Sequence, residues 1–203
     1  MEKEIGILCH ISSLPSPYGV GDFGKTAYEF IDFLAENNIK IWQILPLNQT
    51  GETNCPYYSN CYFSYDEMFF DVDDLVKKDL ITKKDASKLL KLPKSKKVEY
   101  TIVKKIKNEV FETAYNNISG ELGKELEVFL NKNKDIYNYA VYKALLEKNN
   151  ALDWRKLNKN LLNFNSKQYK QFTIDNKQLI YKYGFYQLSL IHISEPTRRY
   201  AIS

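Results

Sequence analysis

Two short, nearly continuous apolar runs stand out along this chain: Ile5–Ile11 (IGILCHI) and Ile39–Leu47 (IKIWQILPL). Runs of this length without alternation predict strands buried on both faces. Between them Ala27, Phe30, Ile31 and Leu34 recur at helical spacing, the single stripe of an amphipathic helix. That helix is expected to start near Lys25, with Asn37 and Asn38 at its C-terminal end. The intervening SSLPSPYGVGDFG is loop, punctuated by Pro15, Pro17, Gly19, Gly21 and Gly24. Strand, loop, helix, strand predicts a parallel βαβ unit with its sheet covered on each side. The loops that follow parallel strands gather at one sheet edge, where ligands bind. The loop from His10 to Asp22 and the aromatic stretch after Pro46 are therefore expected side by side.

Beyond Asp71 the pattern changes to small amphipathic helices. Asp71, Asp73 and Asp74 open a short one, where acidic groups complement the helix dipole. Thr82 with Asp85 forms a capping-box pattern for another that reaches Leu90. Tyr100–Asn116 reads as a helix with Val103, Ile106, Val110 and Ala114 on one face. Leu122, Leu126, Phe129 and Leu130 mark the next. Ile136–Glu147 and Ser166–Tyr183 complete the set. No strand is expected after Phe70. These shifts divide the chain into 1–70, a first βαβ unit with the aromatic loop that follows it, 71–187, a helical insertion, and 188–203, a tail of different character.

Composition adds little beyond a globular class. The formal charge of +4 is spread along 203 residues, so neither nucleic acid nor a membrane is indicated as partner. The lysines of Lys94–Lys97 read as a solvated loop. Sixteen Tyr and eleven Phe are a heavy aromatic load, suited equally to a core or to stacking on sugars or bases. Cys9, Cys55 and Cys61 are an odd count with no secretory signal ahead of them, which places the expected location in the reducing cytoplasm with free thiols. Their spacing fits no usual zinc pair, and no metal or cofactor is expected.

The stretch GILCHISSLPSPYGVGDFGKTAYEFIDFLAENNIKIWQILPL resembles the N-terminal signature of the 4-alpha-glucanotransferase family, the amylomaltases or disproportionating enzymes. Family members show His, then Thr-Ser-Leu-Pro, a Pro-Tyr-Gly-Ile-Gly-Asp-Leu-Gly loop, and Trp-Gln-x-Leu-Pro-Leu. Here those are His10, Ser12–Pro15, Pro17–Gly24 and Trp42–Leu47. The resemblance covers about Ile5 to Gln187. It implies the N-terminal part of a (β/α)8 TIM barrel with a mostly helical insertion, acting on alpha-1,4-glucans and maltooligosaccharides. The family transfers glucan segments by a retaining double displacement, in which one carboxylate attacks the anomeric carbon and a second protonates the leaving sugar. In the family these carboxylates lie on later barrel strands, so no catalytic residue is assigned in this chain. Asp71, Asp73 and Asp74 match no catalytic motif.

The family's second loop reads Gly-Pro-Thr-Gly-Tyr-Gly-Asp-Ser-Pro-Tyr-Gln-Ser. Its later Tyr lines the glucan cleft and corresponds to Tyr57, beside Pro56, Asn54 and Cys55. An aromatic ring stacks on the apolar C–H face of glucose while polar neighbours bind hydroxyls. Without the resemblance, a tyrosine packing its own loop is the favoured reading of Tyr57, because loop tyrosines are common. The family's first loop Tyr is Glu52 here, which bears on the outer glucan contact. His10 and Asp22 suit either cleft contact or structure, Asp22 as a helix cap. Trp42 is expected in the core. A barrel needs about 250 residues, and two strands cannot close one, so this chain alone is expected to be inactive and poorly soluble. The alternative function is a non-catalytic glucan-binding module, and a further one a helical interaction protein built on the insertion. Leu188–Ser203 (LSLIHISEPTRRYAIS) brings His192, Arg198 and Arg199 abruptly into a chain whose only earlier arginine is Arg155. It resembles the conceptual translation of a sequencing adapter and is expected to be non-native.

Overall fold

A computed structural model describes residues 4–51, 53–59, 61–92, 97–151 and 154–200, the side chains of 192–200 excepted. The Lys94–Lys97 loop, apart from Lys97, and Glu52 lie outside the described residues. The two expected strands form, shortened to β1 (Gly6–Leu8) and β2 (Ile41–Gln43), and they pair in parallel with Ile7 opposite Trp42. Helix α1 (Lys25–Glu36) connects them, closed by Asn37 and by Asn38 at φ 56°.

Alternation across the strands sets what α1 covers. Trp42 meets the edge of the Phe30 ring at 5.1 Å and donates its indole N–H to the Cys9 carbonyl at 2.7 Å. It is half-buried between strand and helix, not in the buried core as expected. Leu8 and Ile41 point the other way and are 59% and 46% exposed. The expectation of a sheet covered on each side is thus corrected. One helix can cover one face, and among the described residues nothing covers the second.

Compactness divides the chain after Ile118, whereas sequence character changes near Phe70: residues 1–118 with 189–203 form one unit, and 119–188 another. In the first unit α2 (Val72–Lys77) is capped by Asp71, which accepts from the Asp73 N–H at 2.9 Å. Next comes α3 (Lys83–Leu90). The Thr82–Asp85 capping box forms reciprocally there, and the Thr82 hydroxyl, aided by Lys88, holds the Asp85 carboxyl down to about 2. Helix α4 (Tyr100–Asn116) buries Val103, Val110 and Ala114 as expected. Ile106 is only half-buried, and Lys107 takes the core position instead.

The second unit packs α5 (Gly120–Lys132), α6 (Lys134–Lys148) and α7 (Lys167–Asp175) with the start of α8 (Lys177–Tyr200). Ala140, Ala144, Leu145, Tyr169 and Ile180 form its core. The single helix expected over Ser166–Tyr183 is two. Asn176 closes α7 by turning its side-chain amide back onto the Phe172 carbonyl at 2.9 Å. The backbone of α8 stays helical through Tyr200, so residues 188–200 are not a separate element. No strand follows β2 among the described residues. None of their helices is long and apolar enough to cross a membrane.

Candidate functional site

The loop after β2 is built by folding a polar segment back on itself. Isolated antiparallel bridges join Asn48 to Tyr65 and Thr50 to Ser59. Asp66, 2% exposed, staples the two ends. Its carboxylate accepts from the Thr50 N–H at 3.0 Å, the Thr50 hydroxyl at 2.9 Å and the Met68 N–H at 3.0 Å. At the tip Asn54 is left-handed, with φ 53°, a conformation its short amide tolerates. Its Oδ1 accepts from Lys104 of α4 at 2.8 Å. Cys55 and Pro56 are half-buried. Tyr57 is 72% exposed, and Tyr58, Tyr62 and Phe63 are exposed with it. Hydrogen bonds rather than rings hold the loop, so its aromatic faces are left outward.

The loop after β1 places His10 and Asp22 inside. His10 is buried against the edge of Phe69, ring centroids 5.4 Å apart, and its Nδ1 finds no partner among the described residues. Burial lowers its pKa below the usual value against an opposing pull from Asp66, which keeps the ring neutral at pH 7. Asp22 does not cap α1, as the sequence suggested; Gly24 is the N-cap residue. The Asp22 carboxylate instead accepts from the Gly24 N–H at 3.0 Å and the Ser16 hydroxyl at 2.9 Å, making a turn before the helix. A Cβ on Gly24 would lie 2.8 Å from an Asp22 oxygen and 3.0 Å from an Asp71 oxygen, so two carboxylates converge on this glycine.

Lys107 supplies the countercharge. Its side chain is 1% exposed, its Nζ sits 3.8 Å from Asp22 Oδ2 and 4.8 Å from the centre of the Phe70 ring, and it donates to the Met68 carbonyl. Burial pushes its pKa down to about 8, opposed by Asp22, Asp66 and Asp71. Burial likewise raises Asp22 and Asp71 above the ordinary carboxylate range. Tyr18 donates its phenol to Asp73 and is raised by burial and that bond. Asp73 and Asp74 thus serve structure, Asp74 pairing with Lys78 at 2.7 Å. Sequence reading missed Lys107 and Asp66. The available signal for Lys107 was its position, four residues after Val103 and three before Val110, inside the apolar stripe.

A cavity of about 650 Å³ lies between Ser12–Gly21 and the start of α4. None of Tyr57, Pro56, Asn54, Cys55, His10 or Asp22 lines it. Among the described residues no group of three or more His, Cys, Asp or Glu is placed to hold a metal ion.

Comparison with known proteins identifies the family. A sequence model of the 4-alpha-glucanotransferase family matches residues 9–202. The chain belongs to the 4-alpha-glucanotransferase family. It is 36% identical over 200 residues to the 4-alpha-glucanotransferase of Aquifex aeolicus, which covers 97% of this chain and 40% of that protein. It is 32% identical over 179 residues to the 4-alpha-glucanotransferase of Clostridium butyricum, covering 88% and 37%. Among solved structures, amylomaltase from Streptococcus agalactiae in complex with acarbose superposes with a TM-score of 0.91 at 26% identity, over 98% of this chain and 41% of that one. The chain therefore spans about two fifths of the length of these family members.

Proposed function

We propose that this chain forms the glucan-binding part of a 4-alpha-glucanotransferase, with the Tyr57 loop as its sugar-contact element. The protein that contains it would move alpha-1,4-glucan segments between maltooligosaccharides by a retaining double displacement, which needs two carboxylates across the scissile bond. In this reading β1 and β2 are the first strands of a (β/α)8 barrel, and the helices from α2 onward are an insertion. The exposed faces of Leu8 and Ile41 support it, since a barrel interior requires further strands to fill it. The three free cysteines suit a cytoplasmic setting.

The observation that carries the reading is Tyr57 itself, a large ring 72% exposed on a loop stapled by Asp66 and flanked by half-buried Asn54, Cys55 and Pro56. An exposed ring on a fixed loop offers a stacking face without an ordering cost. Calorimetric titration of the purified chain with maltotriose is expected to show weak binding without turnover. Tyr57→Ala should weaken that binding about fivefold to tenfold, the scale of one aromatic contact. Equal affinity in the variant would remove the loop from sugar binding, and turnover by the chain would overturn the assignment of the catalytic carboxylates to residues outside it.

The composition break at Leu188 supports a separate reading, that Leu188–Ser203 derives from an adapter and carries none of this function. A long read of the source DNA across the codons for Tyr186 to Ser189 is expected to depart from this sequence after Gln187. An unchanged read through Ser203 would establish the segment as native.

A further inference from the structure

We propose that Lys104 is a positioning residue for the glucan loop, a clamp through which α4 holds the turn at Asn54 against the loop base at Thr50. The inference rests on the reading of that loop as a sugar-contact element. Lys104 Nζ lies 2.8 Å from Asn54 Oδ1 and 3.4 Å from Thr50 Oγ1, so one ammonium spans the tip of the loop and its stapled base. These are charge-assisted contacts, stronger than those between neutral groups. The support behind the ammonium is rigid. Lys104 follows Val103, 1% exposed, and precedes Lys107 by one turn on the same side of the helix. Lys107 anchors that turn of α4 to Met68 and Asp22, at the far end of the loop and in its neighbour.

Lys104 adds a hold from outside to a loop already stapled at its base by Asp66 and Ser59. Gly51 donates to Tyr58 at 3.3 Å, Asn54 to Gly51 at 3.1 Å and Tyr58 to Cys55 at 3.0 Å, all turn contacts near the surface. Asn54 must also stay in the left-handed region, which an unrestrained chain occupies only in part. Fixing Asn54 fixes the direction in which Pro56 and Tyr57 leave the turn.

Native-state amide hydrogen exchange on the chain tests the clamp, with Lys104→Met, Lys104→Arg and Asn54→Gly as variants. Asn54→Gly removes the acceptor yet keeps the left-handed backbone. In Lys104→Met the amides of residues 51, 54 and 58 are expected to exchange about tenfold faster while the core amides of α4 keep their protection, as loss of a charge-assisted bond implies. Asn54→Gly should release residues 51 and 58 in the same way, and Lys104→Arg should restore most of the protection. Maltotriose affinity should fall in step in the two disrupted variants and recover with arginine. Loop exchange within about twofold of the parent in both disrupted variants would overturn the clamp, well inside the expected effect. Faster exchange with unchanged maltotriose affinity would overturn its role in sugar binding. A parent chain that fails to bind maltotriose defeats the function proposed for the loop, and the exchange data then decide the clamp by themselves.

Discussion

Lys107→Met is expected to destabilise the chain by about 3–5 kcal/mol at neutral pH, the usual consequence of removing one partner from a buried charge pair. Methionine keeps the stem that packs on Phe70 but leaves Asp22 and Asp71 without their countercharge and the Met68 carbonyl without its donor. A carboxylate can relieve its isolation by taking a proton, so the loss should shrink as pH falls toward 5. The double variant Lys107→Met/Asp22→Asn should recover more than half of it. Urea unfolding at pH 5, 7 and 8 measures all of these, and a single variant as stable as the parent at pH 7 would refute the countercharge role.

The same lysine shapes the alkaline limb of the parent. Its folded pKa is depressed to about 8, so between pH 8 and 10 the folded chain has released a proton that the unfolded chain still binds. Stability from this group therefore rises with pH across that window, and the cost of burying its charge is fully present below it. Tyr18 and Tyr169 act oppositely above pH 10, because burial raises both phenols, Tyr169 to about 12. The folded chain then holds protons that the unfolded chain loses, and stability falls. Lys107→Met should lack the rise between pH 8 and 10 and keep the fall.

Asp66→Ala is the second large effect, expected at about 2–5 kcal/mol from stranding two backbone N–H donors, those of Thr50 and Met68, away from water. It also removes the cap of the short turn Glu67–Phe69 and a side chain that bridges Thr50 to that turn. Limited proteolysis should then cut between residues 50 and 59 in the variant before cutting elsewhere. Asp66→Asn, which retains one acceptor oxygen, should lose roughly half as much, since a single staple bond survives. Resistance of the alanine variant to both unfolding and loop cleavage would show that the bridges at Asn48 and Thr50 hold the loop unaided.

Pattern and local chemistry were enough for most of the elements. The apolar runs located both strands, and their order predicted parallel pairing. The stripe of Ala27, Phe30, Ile31 and Leu34 located α1, and the Thr82–Asp85 box located the start of α3. Each depends on periodicity or on neighbours within a few residues. Tyr57 was singled out by the resemblance alone, because the pattern of residues around it favoured a ring packing its own loop, and its 72% exposure came from the fold.

Only the tertiary structure decided how the site is held. Lys107 and Lys104 are polar by type, and nothing in a single helix says that one will be sealed against Phe70 while the other reaches Asn54, fifty residues earlier in the chain. Asp22 looked like a helix cap because it stands near the start of α1; the approach of Asp71 and Lys107 turned it into part of a buried charge cluster. The open face of the sheet was likewise invisible, because a hydrophobic run records what a strand can bury and not which neighbours arrive to bury it. Burial and pKa depend on groups brought together from distant positions, and those distances exist only in the folded chain.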